Sequence, residues 1–200
     1  MTTITTLVFL MFSYLFGAIP TGYIFFRLSE KKDIRAFGSK ATGATNVLRL
    51  KGWKYALLVA VFDILKGFLP VFLALNFLPD KNFALACGFL AVFGHCYPVY
   101  IKFKGGKGVA TAIGAYAAVS IVPLLISLGI FIGIVIFTRY VSLGSVITSL
   151  SYPLVAFILG KSLPIVYFSL TVFLLILFQH RENIHRLIQG KERKLGEKLK

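Results

Sequence analysis

The stretch from Gly94 to Thr111 reads Gly-His-Cys-Tyr-Pro-Val-Tyr-Ile-Lys-Phe-Lys-Gly-Gly-Lys-Gly-Val-Ala-Thr and lies between two apolar runs. It combines three lysines with three glycines, namely Lys102, Lys104, Lys107, Gly105, Gly106 and Gly108. Lysines supply cationic donors, and glycines let an anion approach backbone N–H groups. Because the run from Val109 predicts a helix, the positive end of its dipole would lie at the same place. The stretch predicts an anion seat, although it also suits a basic turn at a membrane edge.

The composition indicates an integral membrane protein. Of the 200 residues, 58% are hydrophobic and 20 are phenylalanine, and the mean hydropathy is +0.84. These values exclude an ordinary soluble domain. The net charge of +15 indicates contact with anionic lipid or anionic solutes. Cys87 and Cys96 are too few for a disulfide framework, and Cys96 beside His95 lacks further metal ligands, so we expect no disulfide, metal or cofactor.

Seven apolar segments have roughly the length of a membrane span. They are Thr5–Phe26, Trp53–Leu78, Phe83–Tyr100, Val109–Ser120, Val122–Thr138, Ser142–Leu159 and Leu163–Gln179.

 The first segment has no Lys or Arg before it and no small-residue cleavage pattern, so we expect it to stay as a membrane helix. The sequence thus predicts an all-α integral membrane protein with one domain over residues 1–200, a bundle of about seven transmembrane helices, some of them short.

The distribution of basic residues predicts the orientation of this bundle. Eight Lys and Arg lie in residues 27–54, three in the stretch before Val109, and seven after Gln179. If one helix ends and another begins near Pro123, these groups lie on one side of the membrane together with Arg139. Only Lys81 and Lys161 then lie on the other side. Since cytoplasmic loops are rich in Lys and Arg, we expect the N-terminus outside and the C-terminus in the cytoplasm. Three cytoplasmic segments follow, residues 27–54, 94–111 and 180–200.

The first segment offers small and hydroxyl residues between two cations, Arg35 and Arg49. Its backbone N–H groups, its hydroxyls at Ser39 and Thr45 and its guanidinium groups suit phosphate oxygens. A solvated linker is the alternative. In the second apolar segment, Asp63 and Lys66 are spaced i, i+3, which predicts an ion pair facing the bundle rather than a catalytic pair.

The last segment combines an apolar stripe with polar residues at steps of three. Ile184, Leu187 and Ile188 predict a short interfacial helix that ends near Gly190. His180, Asn183 and Arg186 bring a base, an amide and a cation toward the same face. The helix is therefore either a plain membrane anchor or one wall of a polar pocket.

Together the three segments resemble the motifs of the bacterial acyl-phosphate:glycerol-3-phosphate acyltransferase family. The first motif is matched by Gly38, Ser39, Gly43, Ala44, Thr45, Asn46 and Arg49. The second is matched by His95, Pro98 and residues 104–111, with Tyr97 at its aromatic position. The third is matched by His180, Asn183, Ile184, Arg186, Leu187, Gly190 and Glu192. One departure is that Lys40-Ala41 replaces the Gly-Asn of the first motif.

The resemblance implies a bacterial inner-membrane enzyme of phospholipid synthesis with its active site facing the cytoplasm. Such an enzyme moves a fatty acyl group from acyl phosphate to the 1-hydroxyl of sn-glycerol 3-phosphate, giving lysophosphatidic acid and phosphate. Its partners are these two substrates, membrane lipids and an enzyme that makes acyl phosphate. The expected catalytic residues are His95, Lys104 and His180. The expected substrate-binding residues are Ser39, Thr45, Asn46, Arg49, Gly105, Gly106, Lys107, Gly108, Asn183, Arg186 and Glu192.

The mechanism expected from the residues has no covalent intermediate. The sequence contains no Gly-x-Ser-x-Gly elbow and no His-x-x-x-x-Asp pair, and acyl phosphate is already activated, so the bound hydroxyl can attack it directly. Either a histidine or the phosphate of the donor accepts the proton. A small organic-phosphate transporter is the alternative function, with Asp63 and Lys66 along its path. A polybasic lipid-binding scaffold leaves the glycines without a role, and nucleic-acid binding is disfavoured because the basic residues lie against the bilayer.

Overall fold

The computed structural model describes residues 2–197, and Met1 and residues 198–200, which end the third predicted segment, lie outside them. Ten α-helices follow one another along this part of the chain. They are α1 Thr2–Gly17, α2 Thr21–Glu30, α3 Ala44–Lys51, α4 Trp53–Phe77, α5 Asn82–Cys96, α6 Val109–Val119, α7 Ile121–Thr138, α8 Val141–Ile158, α9 Leu163–Gln179 and α10 Arg181–Ile188. Short 3-10 turns occupy Ile34–Ala36 and Val99–Ile101. The described residues contain no β-strand, and the predicted all-α fold is confirmed.

The seven predicted apolar segments all form helices, but they differ in length. Five helical stretches are long and apolar enough to cross a membrane, and the bent pair α9–α10 adds a sixth. Helix α6 has only 11 residues, so at a rise of about 1.5 Å per residue it spans about half of a bilayer's hydrocarbon core. The prediction of about seven transmembrane helices therefore corresponds to up to six candidate spans and the short helix α6, which is buried in the bundle.

The predicted break between α6 and α7 exists, but it falls at Ser120 rather than at Pro123. Ser120 is extended, with φ −160° and ψ 113°, and Pro123 lies in the first turn of α7, where its missing N–H costs no helical hydrogen bond. The Tyr152 hydroxyl on α8 donates to the Ser120 carbonyl over 3.3 Å. Tyr152 also stacks on Tyr116 of α6 at 3.7 Å between ring centroids, which fixes three helices around the break.

Close approach of α4 and α6 places the start of α6 inside the bundle. Two glycines make this possible: a Cβ atom at Gly67 would lie 1.9 Å from the Thr111 carbonyl oxygen, and one at Gly114 would lie 1.9 Å from the Ile64 carbonyl oxygen. Small residues at such crossings let helix backbones meet in membranes, where packing rather than burial from water drives association. Helix α6 is consequently surrounded by protein, and its N-terminus opens into the polar interior described below.

The outward faces of the long helices suit a lipid environment. Large apolar side chains are exposed there, for example Phe137 on α7 and Phe157 and Ile158 on α8. Inside the bundle, the predicted Asp63–Lys66 ion pair is confirmed, with 2.8 Å between the carboxylate and the ammonium and both side chains almost fully buried. Polar groups are thus kept in the interior and at one end of the helices.

Candidate active site

A cavity of about 180 Å³ lies where the three predicted segments meet. From the first segment it is lined by Ser39, Ala41, Gly43, Ala44, Thr45, Asn46 and Arg49. From the second it is lined by His95, Lys107, Gly108, Val109 and Ala110. From the third it is lined by His180, Asn183 and Glu192. Residues up to 153 positions apart in the chain therefore share one small cavity.

The N-terminus of α6 forms one wall of this cavity. Gly108, the residue before the helix, has φ +85°, a conformation that glycine adopts without strain, and no side chain caps the first turn. The first N–H groups of a helix have no partner within it and carry the positive end of its dipole. An anion in the cavity can therefore bind at Gly108, Val109 and Ala110.

The two preceding glycines have a different role from the one expected. The N–H of Gly105 donates to the carbonyl of Cys96, and that of Gly106 donates to the carbonyl of His95, so these N–H groups are already satisfied. A Cβ atom at Gly106 would lie 2.0 Å from Nε2 of His95. Gly105 and Gly106 thus fold the loop back against the end of α5 and make room for the histidine ring, and the seat for an anion shifts toward Gly108.

His95 is packed against a buried polar cluster behind the cavity. Its Nδ1 lies 3.6 Å from a carboxylate oxygen of Asp63 and has no hydrogen-bond partner within residues 2–197. The same carboxylate accepts from the Thr21 hydroxyl and pairs with Lys66, whose ammonium donates to the Ile19 carbonyl over 2.8 Å. The cluster joins α4 and α5 to the turn before α2 and holds the floor of the cavity in place.

A second network joins the third segment to the rest of the site. The Lys107 ammonium donates to the side-chain carbonyl of Asn183, whose NH₂ group donates to Glu192 over 2.7 Å. Glu192 also accepts from the Ser142 hydroxyl over 2.9 Å and from the Arg186 guanidinium over 2.7 Å. Glu192 is buried and negative, so it orients Asn183 and Arg186 rather than facing a phosphate itself.

Burial, neighbouring charges and hydrogen bonds shift the pKa values of Lys107 and Glu192. Burial lowers the pKa of Lys107 to about 8, and Arg186 and Arg49 act in the same direction against Glu192. Burial opposes the ionisation of Glu192, but hydrogen bonds from Asn183, Arg186 and Ser142 hold the pKa of this carboxyl below its ordinary value. Glu192 is therefore ionised at neutral pH, and Lys107 stays mostly protonated there.

His180 lies at the break between α9 and α10, and α10 turns away from α9 by 60°. Its Nδ1 is 2.8 Å from the carbonyl oxygen of Ile176. A carbonyl only accepts, so Nδ1 carries a proton and donates it. In the neutral imidazole the other nitrogen, Nε2, then has a free lone pair that can accept a proton or a substrate hydroxyl.

The first loop is shaped by Asn46. Its side-chain oxygen accepts from the Ser39 N–H over 2.9 Å, and its NH₂ group donates to the carbonyls of Phe37 and Ala41. These contacts use the amide for the loop itself, in contrast to the expected substrate-binding role. The loop places Ser39 at the cavity, and Lys40, where the family motif has glycine, adopts φ +59°.

The predicted site residues do not all reach the cavity. Lys104 is exposed and is not among the lining residues, while Gly105 and Gly106 lie behind His95. Arg186 lies in an adjoining cleft. Arg35, expected to face phosphate, is bound to Asp33 and donates to the Ile101 carbonyl, so it joins the first loop to the second.

Sequence analysis missed the part of the wall that comes from α6, α7 and α8. Ile113, Phe131, Val141, Ser142 and Ser145 line the cavity, and so does Asp63 of α4. A signal for the serines was present, because hydroxyl side chains recur through α8 at Ser142, Ser145, Thr148, Ser149 and Ser151 in an otherwise apolar segment. Asp63 was expected as a structural partner of Lys66 and, in the alternative transporter function, along the transport path.

The fold and the site resemble those of known proteins along nearly the whole chain. The family model for glycerol-3-phosphate acyltransferase matches residues 7–190. A glycerol-3-phosphate acyltransferase of Prochlorococcus marinus (strain NATL1A) is 43% identical over 195 residues, covering 96% of this chain and 98% of the relative. One of Aquifex aeolicus (strain VF5) is 42% identical over 183 residues, covering 91% and 95%.

Solved structures agree with these relatives. The crystal structure of PlsY, an integral membrane glycerol 3-phosphate acyltransferase, in its glycerol 3-phosphate form superposes with a TM-score of 0.92 at 41% identity and covers 96% of each chain. Its lysophosphatidic acid form gives a TM-score of 0.89 at 40% identity with the same coverage. The sequence motifs, the helical membrane fold and these matches together show that the chain belongs to the glycerol-3-phosphate acyltransferase family.

Proposed function

We propose that this membrane acyltransferase uses acyl phosphate as its donor and transfers the acyl group to the 1-hydroxyl of sn-glycerol 3-phosphate. The products are lysophosphatidic acid and inorganic phosphate. The observation that carries the proposal is the small cavity in which Arg49, Lys107 and the N-terminus of α6 converge. Both substrates bear phosphate groups, and each of these three elements suits a phosphate.

The glycerol 3-phosphate is held on the side of the cavity formed by the first and third segments. Arg49 and Ser39 bind its phosphate oxygens, because a guanidinium fork and a hydroxyl complement them. His180 and Asn183 face the glycerol hydroxyls from the opposite wall. Glu192 fixes the orientation of Asn183 through a direct hydrogen bond.

The acyl phosphate binds at the start of α6. Its phosphoryl group lies against Gly108 and the free N–H groups of the first helical turn, with Lys107 balancing its charge. The lysine ammonium and these N–H groups also stabilise the charge that builds on the departing phosphate. Lys104 lies on the exposed rim of the same loop, so we expect it to add positive charge near the donor phosphate with a smaller effect than that of Lys107.

The transfer takes place in one displacement. The 1-hydroxyl oxygen attacks the carbonyl carbon of the acyl phosphate, an ester bond forms, and the bond from that carbon to the bridging oxygen breaks as phosphate leaves. The hydroxyl proton passes either to Nε2 of a histidine, His180 or His95, or to a phosphate oxygen of the donor. Positioning of both substrates supplies most of the rate, since no serine or cysteine ester is needed.

We also propose a location and a donor source for the enzyme. The protein lies in the bacterial inner membrane with its cavity toward the cytoplasm, because glycerol 3-phosphate is water-soluble and the basic segments share that end of the bundle. Lysophosphatidic acid remains in the lipid phase. An enzyme that makes acyl phosphate supplies the donor in the same membrane.

The test is an assay of the purified protein in detergent micelles with acyl phosphate and glycerol 3-phosphate. We expect lysophosphatidic acid and inorganic phosphate to appear one for one. Acyl thioesters of coenzyme A and of acyl carrier protein, offered in parallel, should give much slower transfer. Equal or faster transfer from a thioester would refute acyl phosphate as the donor, and flux of glycerol 3-phosphate into proteoliposomes without chemistry would support the transporter instead.

A further inference from the structure

A second, outer cleft adjoins the cavity. It has a volume of about 210 Å³ and is lined by Gly38, Ser39, Lys40, Arg49, Glu182, Arg186, Glu192 and Arg193. Three of these residues, Ser39, Arg49 and Glu192, also line the inner cavity. The outer cleft therefore lies at the mouth of the proposed active site, between the first loop and the C-terminal segment.

The charges around this cleft are unbalanced. Four cations face two carboxylates, and Glu192 already accepts from Ser142, Asn183 and Arg186. Glu182 lies 4.0 Å from Arg186. Among residues 2–197, the side chains of Lys40, Arg49 and Arg193 form no hydrogen bond or ion pair with the protein, so three cations share this cleft without a direct anionic partner.

The crowding of positive charge affects the pKa of Arg49. Burial lowers its pKa, and Arg193 and Arg186 lower it further, against the opposing effect of Glu192 and Glu197. An anion placed among these side chains would relieve their mutual repulsion. A phosphate dianion suits the site especially well, because guanidinium groups bind phosphate oxygens in a bidentate manner.

Lys40 distinguishes this chain from the family motif, which has glycine at that position. Its backbone has φ +59°, a conformation that an L residue rarely adopts, and its side chain is exposed at the cleft. The chain thus carries an added cation at the mouth of the site at a position where glycine would be less strained.

We propose that the outer cleft is a second anion site, at which a phosphate group binds outside the inner cavity, with Lys40 and Arg193 as its distinguishing ligands. The inference rests on the proposed function, since it makes the cleft the entry point for glycerol 3-phosphate and the exit point for inorganic phosphate. Charges at the mouth of a cleft raise the local concentration of an anionic substrate and its rate of association, and salt screens this effect.

The test compares the double variant Lys40→Gln/Arg193→Gln with the wild type in neutral detergent over a series of salt concentrations. Lys31→Gln is the matched control, because Lys31 is also exposed, has φ +54° and lies outside both clefts. At low salt we expect kcat/KM for glycerol 3-phosphate to fall about three- to tenfold in the double variant, with kcat nearly unchanged and the difference shrinking as salt increases. Lys40→Gly removes the charge and the backbone strain together, so it provides a variant that folds.

Two further measurements distinguish release of inorganic phosphate from entry of glycerol 3-phosphate, and failure of the anion site from failure of the proposed acyl transfer. Product inhibition by inorganic phosphate should weaken in the double variant if the cleft serves release, and the rate at low glycerol 3-phosphate should fall if it serves entry. Equilibrium dialysis with radioactive phosphate needs no catalysis, so weaker phosphate binding would support the site even if acyl transfer were absent. Behaviour equal to that of Lys31→Gln, or a loss that salt does not change, would overturn the inference.

Discussion

Lys107 is the side chain through which the second and third segments meet. It is largely buried at the cavity wall and donates to Asn183, which Glu192 holds in turn. Lys104, three residues earlier, is exposed and lies outside the lining. Two lysines that look alike in the motif therefore have different surroundings, and the difference can be measured.

Replacement of each lysine by alanine tests this difference. We expect Lys107→Ala to lower kcat/KM by about 10²- to 10³-fold, because a charged donor in a largely enclosed site stabilises developing charge strongly. Lys104→Ala should cost less than about tenfold, since water screens an exposed charge. Steady-state kinetics on purified variants, with thermal unfolding as the control for folding, gives both values, and equal losses would contradict this placement.

The pH dependence of substrate binding provides a second test at this scale. The pKa of Lys107 is lowered to about 8, so its charge is present at pH 7 and is lost as pH rises through 8. We expect KM for glycerol 3-phosphate to increase between pH 7 and 9. Lys107→Arg keeps its charge over this range, so the increase should be reduced in that variant. An unchanged profile in Lys107→Arg would show that another group titrates.

Helix α6 sets the geometry of the site at the scale of elements. With 11 residues it is shorter than a bilayer of ordinary thickness, so the predicted topology needs it to cross inside the bundle, with its N-terminus at the cavity wall. Contact with α4 at Gly67 and Gly114 fixes its position. A change at this crossing should therefore disturb both stability and activity.

Gly67→Ala tests the crossing. Its Cβ atom would lie 1.9 Å from the Thr111 carbonyl oxygen, so α6 must shift. We expect a loss of about 1–3 kcal/mol in unfolding free energy and a clear fall in kcat. Gly129→Ala in α7 is the matched control, because no atom lies within 4 Å of its Cβ, and alanine should stabilise that helix slightly. The measurements are thermal unfolding in detergent and acyl transfer, and an equal response of the two variants would exclude crowding at the crossing.

The whole molecule is organised so that polar segments gather at one end of an apolar bundle. The positive-inside count predicts that this end faces the cytoplasm and that the N-terminus lies on the opposite side. The parity of the spans depends on the break at Ser120, since without it α6 and α7 would cross as one helix. The predicted orientation of the termini therefore depends on how many helices cross the membrane in the whole molecule.

Single cysteines in the loops test the orientation. Cys87 and Cys96 are buried, which keeps their reaction with a membrane-impermeant maleimide low. In spheroplasts we expect labelling at Lys81→Cys and Lys161→Cys, and no labelling at Lys32→Cys until the membrane is opened. The reverse pattern would invert the topology and place the cavity outside.

The amino-acid sequence by itself determined the membrane class, the helical segments, the gathering of basic residues and the three motifs. These properties depend on local composition and spacing, which hydropathy and charge report directly. Val109–Ser120 could be predicted as a separate short segment because the charge count required a break, and the observed helix is Val109–Val119. The Asp63–Lys66 pair followed from its i, i+3 spacing.

Only the tertiary structure decided which groups face the cavity. The N–H groups of Gly105 and Gly106 are satisfied by the end of α5, the Asn46 amide shapes its own loop, and Ser142 reaches Glu192 from a helix 50 residues away in the chain. Such outcomes depend on competition among distant donors and acceptors for partners in a buried space. The stretch Gly94–Thr111 thus predicted an anion seat, while the packing of α4, α5 and α6 shifts the expected position of that seat to Gly108 and Lys107.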